Sequence, residues 1–405
     1  MRMKKCIALS VSIVFAVVMC SGAWGDVPID EEHFPDEVFR EKISEKDTDG
    51  DGVLSDEEIA EITSLSLLNA GISSLKGVEY LTAIKILWCD SNQLTELDVS
   101  RNTALENLHC SHNQLTALDV SKNTALKILI CGDNQLTALD VSKNTALESL
   151  LCGNTQLTAL DVSSNKLLTL LSCGETQLTT LDVSSNTALK FLGCTSNPNM
   201  TNLTLGRNEA LTDLACGICK LTELDVSGCT SLTKLSCNYN SIKSLNVRGA
   251  ILLRELDCEH NELEALDLST NTALVYLNCS DNELETLNLN GCPALAKLNC
   301  SKISSSYSAS KLKTLDLSSN TALLNLNCSY HNLSELDLSR NTMLTEVNCY
   351  SNKISALDVS KNTSLVILNC ERNGMTTLNV NGAAALAHLT CGYGNKRELP
   401  PLIEA

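Results

Sequence analysis

The chain has 405 residues, a net charge of −18, 43% apolar residues and only 3% aromatic ones. That charge argues against nucleic acid or an anionic membrane surface as a partner. Scarce aromatics and abundant leucine suit a core of stacked aliphatic layers.

Residues 1–25 read as a signal peptide. Arg2, Lys4 and Lys5 precede an apolar stretch, residues 7–19, that is short for a bilayer span, and small residues allow cleavage after Ala23 or Gly25. A competing reading takes Val17-Val18-Met19-Cys20 as a lipobox, with a lipid anchor on Cys20, although Met19 fits that motif poorly. With no second apolar segment and no C-terminal sorting motif, the mature chain is expected to be exported, secreted or on the cell surface, without a transmembrane helix.

Residues 26–61 carry the one ligand constellation. The run from Asp47 to Glu58 matches the twelve-residue EF-hand loop at every position. Asp47, Asp49 and Asp51 would supply carboxylate oxygens to Ca2+, and Val53 its carbonyl. Ser55 would act through a water, and Glu58 would close the site with both oxygens. Gly52 permits the sharp turn and Leu54 packs inward. Helices are expected over 35–43 and 56–62. A single such loop outside a cell stays filled rather than switching, so its expected role is a calcium-stabilised cap over the first repeat.

From 62 to 396 one phrase recurs, as in Leu105-x-x-Leu108-x-Cys110-x-x-Asn113-x-Leu115. Its cysteine returns from Cys89 to Cys391 at a spacing of 21, except 22 before Cys216 and 28 before Cys328. This is the leucine-rich repeat pattern with cysteine in the last leucine of the strand, and about sixteen repeats are countable. The predicted fold is an α/β repeat solenoid: an arc with a parallel concave sheet, an irregular or extended convex side, and a small helical cap. Strands are expected around 108–110, with Leu108 and Cys110 inward and Asn107, His109 and Ser111 on the concave surface. Asparagines three places after the cysteine (Asn113, Asn134, Asn240 among them) should bond the turns of neighbouring repeats. The extra residues 304–310 read as a tolerated loop. Residues 397–405 form a short tail.

The cysteines look chemical but fall on periodic inward positions. Stacked neighbours about 4.8 Å apart are too far for the usual disulfide Cβ separation of about 3.8 Å, so they are read as core filler. Repeat phase also explains Cys216-Gly-Ile-Cys219, which lacks the second pair a zinc site needs. No nucleophile elbow, phosphate loop or metalloprotease motif is present, so no enzyme is expected.

On the concave side, one and three places before the cysteine, the N-terminal repeats expose Ile86, Trp88, Ile128, Ile130, Leu151, Leu170 and Phe191. Farther along the first column becomes Asn278, Asn299, Asn327, Asn348 and Asn369. The apolar residues are the expected ligand face, since a contiguous patch marks an interface. The asparagine run suits sugar hydroxyls, and repeat duplication explains it equally well.

The cysteine-bearing 21-residue array resembles the bacterial internalin-type leucine-rich repeat proteins. The segment Phe34-Pro-Asp-Glu-Val-Phe39-Arg40, with its loop, looks like the cap of related secreted bacterial proteins. The resemblance implies a surface or secreted adhesin for a protein or glycoprotein ligand on host or neighbouring cells. The rival readings are a structural envelope protein without a specific ligand and a leucine-rich repeat effector enzyme. For the latter, nine residues after the array leave no room for a catalytic domain.

Overall fold

The computed structural model describes residues 25–302 and 310–392. The expected signal peptide with Cys20, the tail and most of the insertion lie outside the described residues. Among those described, no helix is long and apolar enough to cross a membrane.

Each repeat contributes a three-residue strand, such as Asn107–His109 or Ile128–Ile130, and sixteen of them form one parallel sheet. Leucine faces leucine in every strand pair but those of Val347: Leu108 stands opposite Leu87 and Leu129. The strand lies one residue earlier than the expected 108–110. Cys110 N–H still donates to Ile130 O at 2.8 Å, but the chain then turns, and His112 adopts a left-handed φ of 51°. The cysteine therefore marks the exit of the strand. Ser111, expected on the concave surface, is buried in that turn. Across the insertion the register is unbroken, with Leu298 opposite Leu326.

The core is built of identical layers. Leu105, Leu108, Cys110, Leu115, Leu118 and Val120 of one repeat are all buried, and the pattern recurs along the array. Burying each such leucine stabilises by about 1.5–3 kcal/mol, offset by the ordering of the chain. All eighteen described cysteines are free, and all but Cys391 are buried. Burial pushes the Cys152 and Cys300 thiols up to about 12, so they pack as neutral hydrophobes. Cys219 fills an asparagine position, its thiol donating to Cys194 O at 3.5 Å.

Buried asparagines join the layers. Asn113 Nδ2 donates to Cys89 O and Cys110 O at 3.0 and 3.1 Å, while its Oδ1 accepts from Leu94 N–H at 3.0 Å. These are turn groups that burial would otherwise leave unpaired. Where the column holds His331, the imidazole does the same work between Cys300 O and Ser310 Oγ. A second column acts on the opposite turn, where Asn123 Nδ2 donates to Val99 O and Asn102 O, both at 2.9 Å. On the convex side the Leu-Asp segments are extended and in places pair, as Thr180–Asp182 does with Asn202–Thr204. Asp119 Oδ1 accepts from Ser121 N–H at 2.8 Å, closing a local turn.

The N-terminal segment folds onto the first repeat. Helix α1 (Glu37–Ser44) starts at Asp36, whose Oδ1 accepts from Phe39 N–H at 3.1 Å. Helix α2 (Asp56–Glu61) starts at Ser55 with a reciprocal capping box to Glu58. Phe34, Phe39, Ile43, Leu54 and Ile59 are buried in one cluster with Leu65, Ile72 and Val78 of the array. Asp36 also reaches the first repeat, its Oδ2 accepting from Ser73 N–H and Oγ at 2.8 and 3.0 Å. Gly77 has φ 105°, and a side chain there would strike the Phe34 ring and the His33 carbonyl. The short strand Val53–Leu54 of the acidic loop pairs antiparallel with Val27–Pro28, so its edge is met within this segment.

Candidate metal centre and concave face

Left-handed glycines shape the acidic loop, Gly50 at φ 76° and Gly52 at φ 85°. They fold it so that Asp47, Asp49 and Glu58 bring carboxylate oxygens within 4.8 Å of one another. Among the described residues this is the only such group of three. Asp47 is held by Gly50 N–H and Gly52 N–H at 2.7 and 2.9 Å. Glu58 accepts from Ser55 N–H at 3.0 Å and Thr48 Oγ at 2.7 Å. The backbone N–H groups of Ser55 and Thr48, with the Thr48 hydroxyl, hold the Glu58 carboxyl at about 2. Asp49 moves the other way. The Asp51 N–H bond lowers it, but desolvation and the charges of Asp51, Glu58 and Asp47 outweigh that and leave it raised.

Of the four expected carboxylate ligands the structure gathers three. Asp51 is outside the group, its Oδ1 accepting from Val53 N–H at 3.0 Å, while Ser55 Oγ donates to Glu58 Oε2 at 2.9 Å. The residues fit a hard cation: the donors are all oxygen, and the nearest ion pair in sequence, Lys42–Glu45, neutralises none of them.

The concave columns also form as expected, with less exposure. Trp88 and Phe191 are exposed, whereas Ile86, Ile128, Ile130, Leu151 and Leu170 are half-buried. Trp88, His109, Ile130 and Leu151 stand opposite one another in sequence, and Leu170 opposite Phe191. The Trp88 and His109 rings lie 5.6 Å apart. Ile130, Leu151 and Phe191 meet in an open groove of about 580 Å³, whereas Ile86, Trp88, Ile128 and Leu170 lie outside its lining.

The groove has two features the sequence reading missed. Its floor includes Gly132, Gly153 and Gly174, where an added Cβ would lie 2.7–2.9 Å from the next repeat's carbonyl. The repeated Cys-Gly pair was the available signal. Its rim is the left-handed column two places after most ladder cysteines, which here carries the acids Asp133 and Glu175.

No protein-family model matches the sequence. Internalin J of Listeria monocytogenes serotype 4b (strain F2365) is 35% identical over 71 residues, which are 17% of this chain and 8% of that protein. The chain thus matches only a small part of that relative's length. The functional domain of InlJ from Listeria monocytogenes, whose structure includes a cysteine ladder, superposes with a TM-score of 0.74 at 35% identity. That match covers 88% of this chain and 78% of the domain. A leucine-rich repeat protein of Leptospira interrogans shares the fold, with a TM-score of 0.61 at 19% identity over 79% of this chain and 92% of that one. Period, ladder and superposition agree, and the chain belongs to the internalin-type leucine-rich repeat proteins.

Proposed function

We propose that the chain is an exported binding protein, a bacterial surface or secreted adhesin whose N-terminal concave half docks a protein or glycoprotein ligand. The carrying observation is the groove in which Ile130, Leu151 and Phe191 meet over a glycine floor beneath Asp133 and Glu175. Apolar surface in a trough on a rigid scaffold supplies affinity, and an acidic rim selects a partner segment with basic residues around an apolar centre. Solenoids of this kind use their concave surfaces for binding. The test is capture from a host-cell surface extract by the mature chain and by the Trp88→Ala, Phe191→Ser variant. The variant is expected to lose most captured ligand while its melting temperature stays within a degree or two, since both side chains are exposed. Full capture by the variant places the site elsewhere. Absence of any saturable partner favours the structural envelope role.

The cap completes the proposal. Asp47, Asp49 and Glu58, joined by Asp51, the Val53 carbonyl and a water on Ser55, would hold Ca2+. The ion would neutralise the repulsion recorded at Asp49. Fixed in this way, the loop would keep α2 and its buried Ile59 against the first repeat.

A further inference from the structure

The second half of the concave sheet offers a different chemistry. Asn327 stands opposite Asn348, and Asn348 opposite Asn369. Each side-chain oxygen is already used by the backbone two places on: Ser329 N–H, Tyr350 N–H and Glu371 N–H donate to them at 3.2, 3.2 and 3.3 Å. Such a turn fixes the plane of the carboxamide and aims its Nδ2 group away from the turn. In the two preceding repeats that group is used as well. Asn278 donates to Glu259 Oε2 at 2.9 Å and Asn299 to Ser280 Oγ at 3.3 Å. By contrast, the Nδ2 groups of Asn327, Asn348 and Asn369 have no partner among the described residues. They form a row of pre-oriented donors at the strand separation of about 4.8 Å. Beside the row, the rings of Tyr330 and Tyr350 lie 5.0 Å apart, and the Arg372 guanidinium lies 5.4 Å from the Tyr350 ring centre.

We infer that this row binds a linear neutral glycan lying along the array, its hydroxyl or N-acetyl oxygens accepting from the three asparagines and a sugar face resting against the tyrosine pair. Three amide donors in a row, none of them used by the described residues, suit an oxygen-rich polymer. An extended peptide carries as many N–H groups as carbonyls, and its N–H groups would face the donor row. The net charge of −18 disfavours an anionic polymer. Sugar rings supply both a regular repeat and an apolar face for an aromatic. The inference does not rest on the groove of the N-terminal half.

The test is calorimetry with three hexasaccharides: a plain β-linked glucan, its N-acetylated amino-sugar counterpart and a polyuronate. At least one of the neutral pair should bind saturably, their difference separating hydroxyl from N-acetyl recognition, and the polyuronate should not. Asn348→Asp keeps an oxygen for Tyr350 N–H but loses the donor, and should weaken binding about tenfold without lowering the melting temperature. Asn299→Asp, whose donor is already engaged, and the Trp88→Ala, Phe191→Ser variant should bind as the wild type does. No saturable neutral hexasaccharide, tighter binding of the polyuronate, unchanged affinity in Asn348→Asp, or loss in the Trp88 variant would each overturn the assignment.

Discussion

Cap and array hold their shapes by opposite means. In the array, order is spread over many similar layers, most of them repeating the same leucines, ladder cysteine and asparagine. In the cap, order rests on single features: one Phe34, one Asp36 clamp, one loop whose acids repel each other. A periodic core can lose a layer's worth of packing locally, whereas the cap has no second copy of anything. The comparison also separates two kinds of electrostatics. Array carboxylates such as Asp119 are settled by a neighbouring turn N–H, while Asp49 is left raised among like charges.

The largest effect should come from the array. Leu150→Ala removes a fully buried side chain between two layers and should cost about 3 kcal/mol in chemical denaturation. The calcium response of the cap should survive it. Loss of that response would mean that cap and array melt as one unit.

Calcium comes next. At a hundredfold excess over its dissociation constant the ion should stabilise the cap by about 2.7 kcal/mol, read as a chelator-sensitive rise in melting temperature. Asp47→Ala or Glu58→Gln should abolish the rise. A chelator without effect on the wild type would remove calcium from the account.

Acid should test the cap of the metal-free protein, although array aspartates such as Asp119 and Asp140 are lowered too. Glu58 is held at about 2 against an ordinary 4.5, so its contribution is complete above 4.5 and is lost as pH falls toward 2. Asp49, being raised, acts with the opposite sign, since protonating it relieves repulsion. The cap of Glu58→Gln should therefore show a flatter melting profile than the wild type between pH 4.5 and 2. An equal slope in both would assign the acid sensitivity to other groups.

The smallest perturbation is none at all. Denatured but unreduced mature chain should titrate close to the eighteen thiols of the ladder and its neighbours, and a count near zero would replace packing with cross-links.

Much of this was legible before the fold was seen, because repetition amplifies weak signals. Leu108 alone says little, but sixteen strands in one sheet follow from the same phrase. The acidic loop stands out for the opposite reason, a complete twelve-residue pattern occurring once, and the fold brings three of its carboxylates together. Three things were not. The strand sits one residue earlier because pairing ends where the turn begins, and cysteine tolerates either side of that boundary. The left-handed column could not be read, since Ser91, Asp133, Ile218 and Tyr239 share no chemistry, only a backbone conformation. The asparagines of the concave face look equivalent in sequence. Only their partners separate Asn278 and Asn299, already spoken for, from Asn327, Asn348 and Asn369.

That left-handed column has a consequence for how the molecule can change. Fourteen non-glycine residues, one in nearly every repeat, hold a positive φ along a single rim. Asparagine tolerates this conformation, but a β-branched residue such as Ile218 is strained by it. The rim is thus a ledger of unclaimed stability, in which Ile218→Asn or Ile218→Gly should raise the melting temperature without touching the core. Because the same side chains edge the trough, evolution could trade that reserve, repeat by repeat, for a new recognition surface on an unchanged frame.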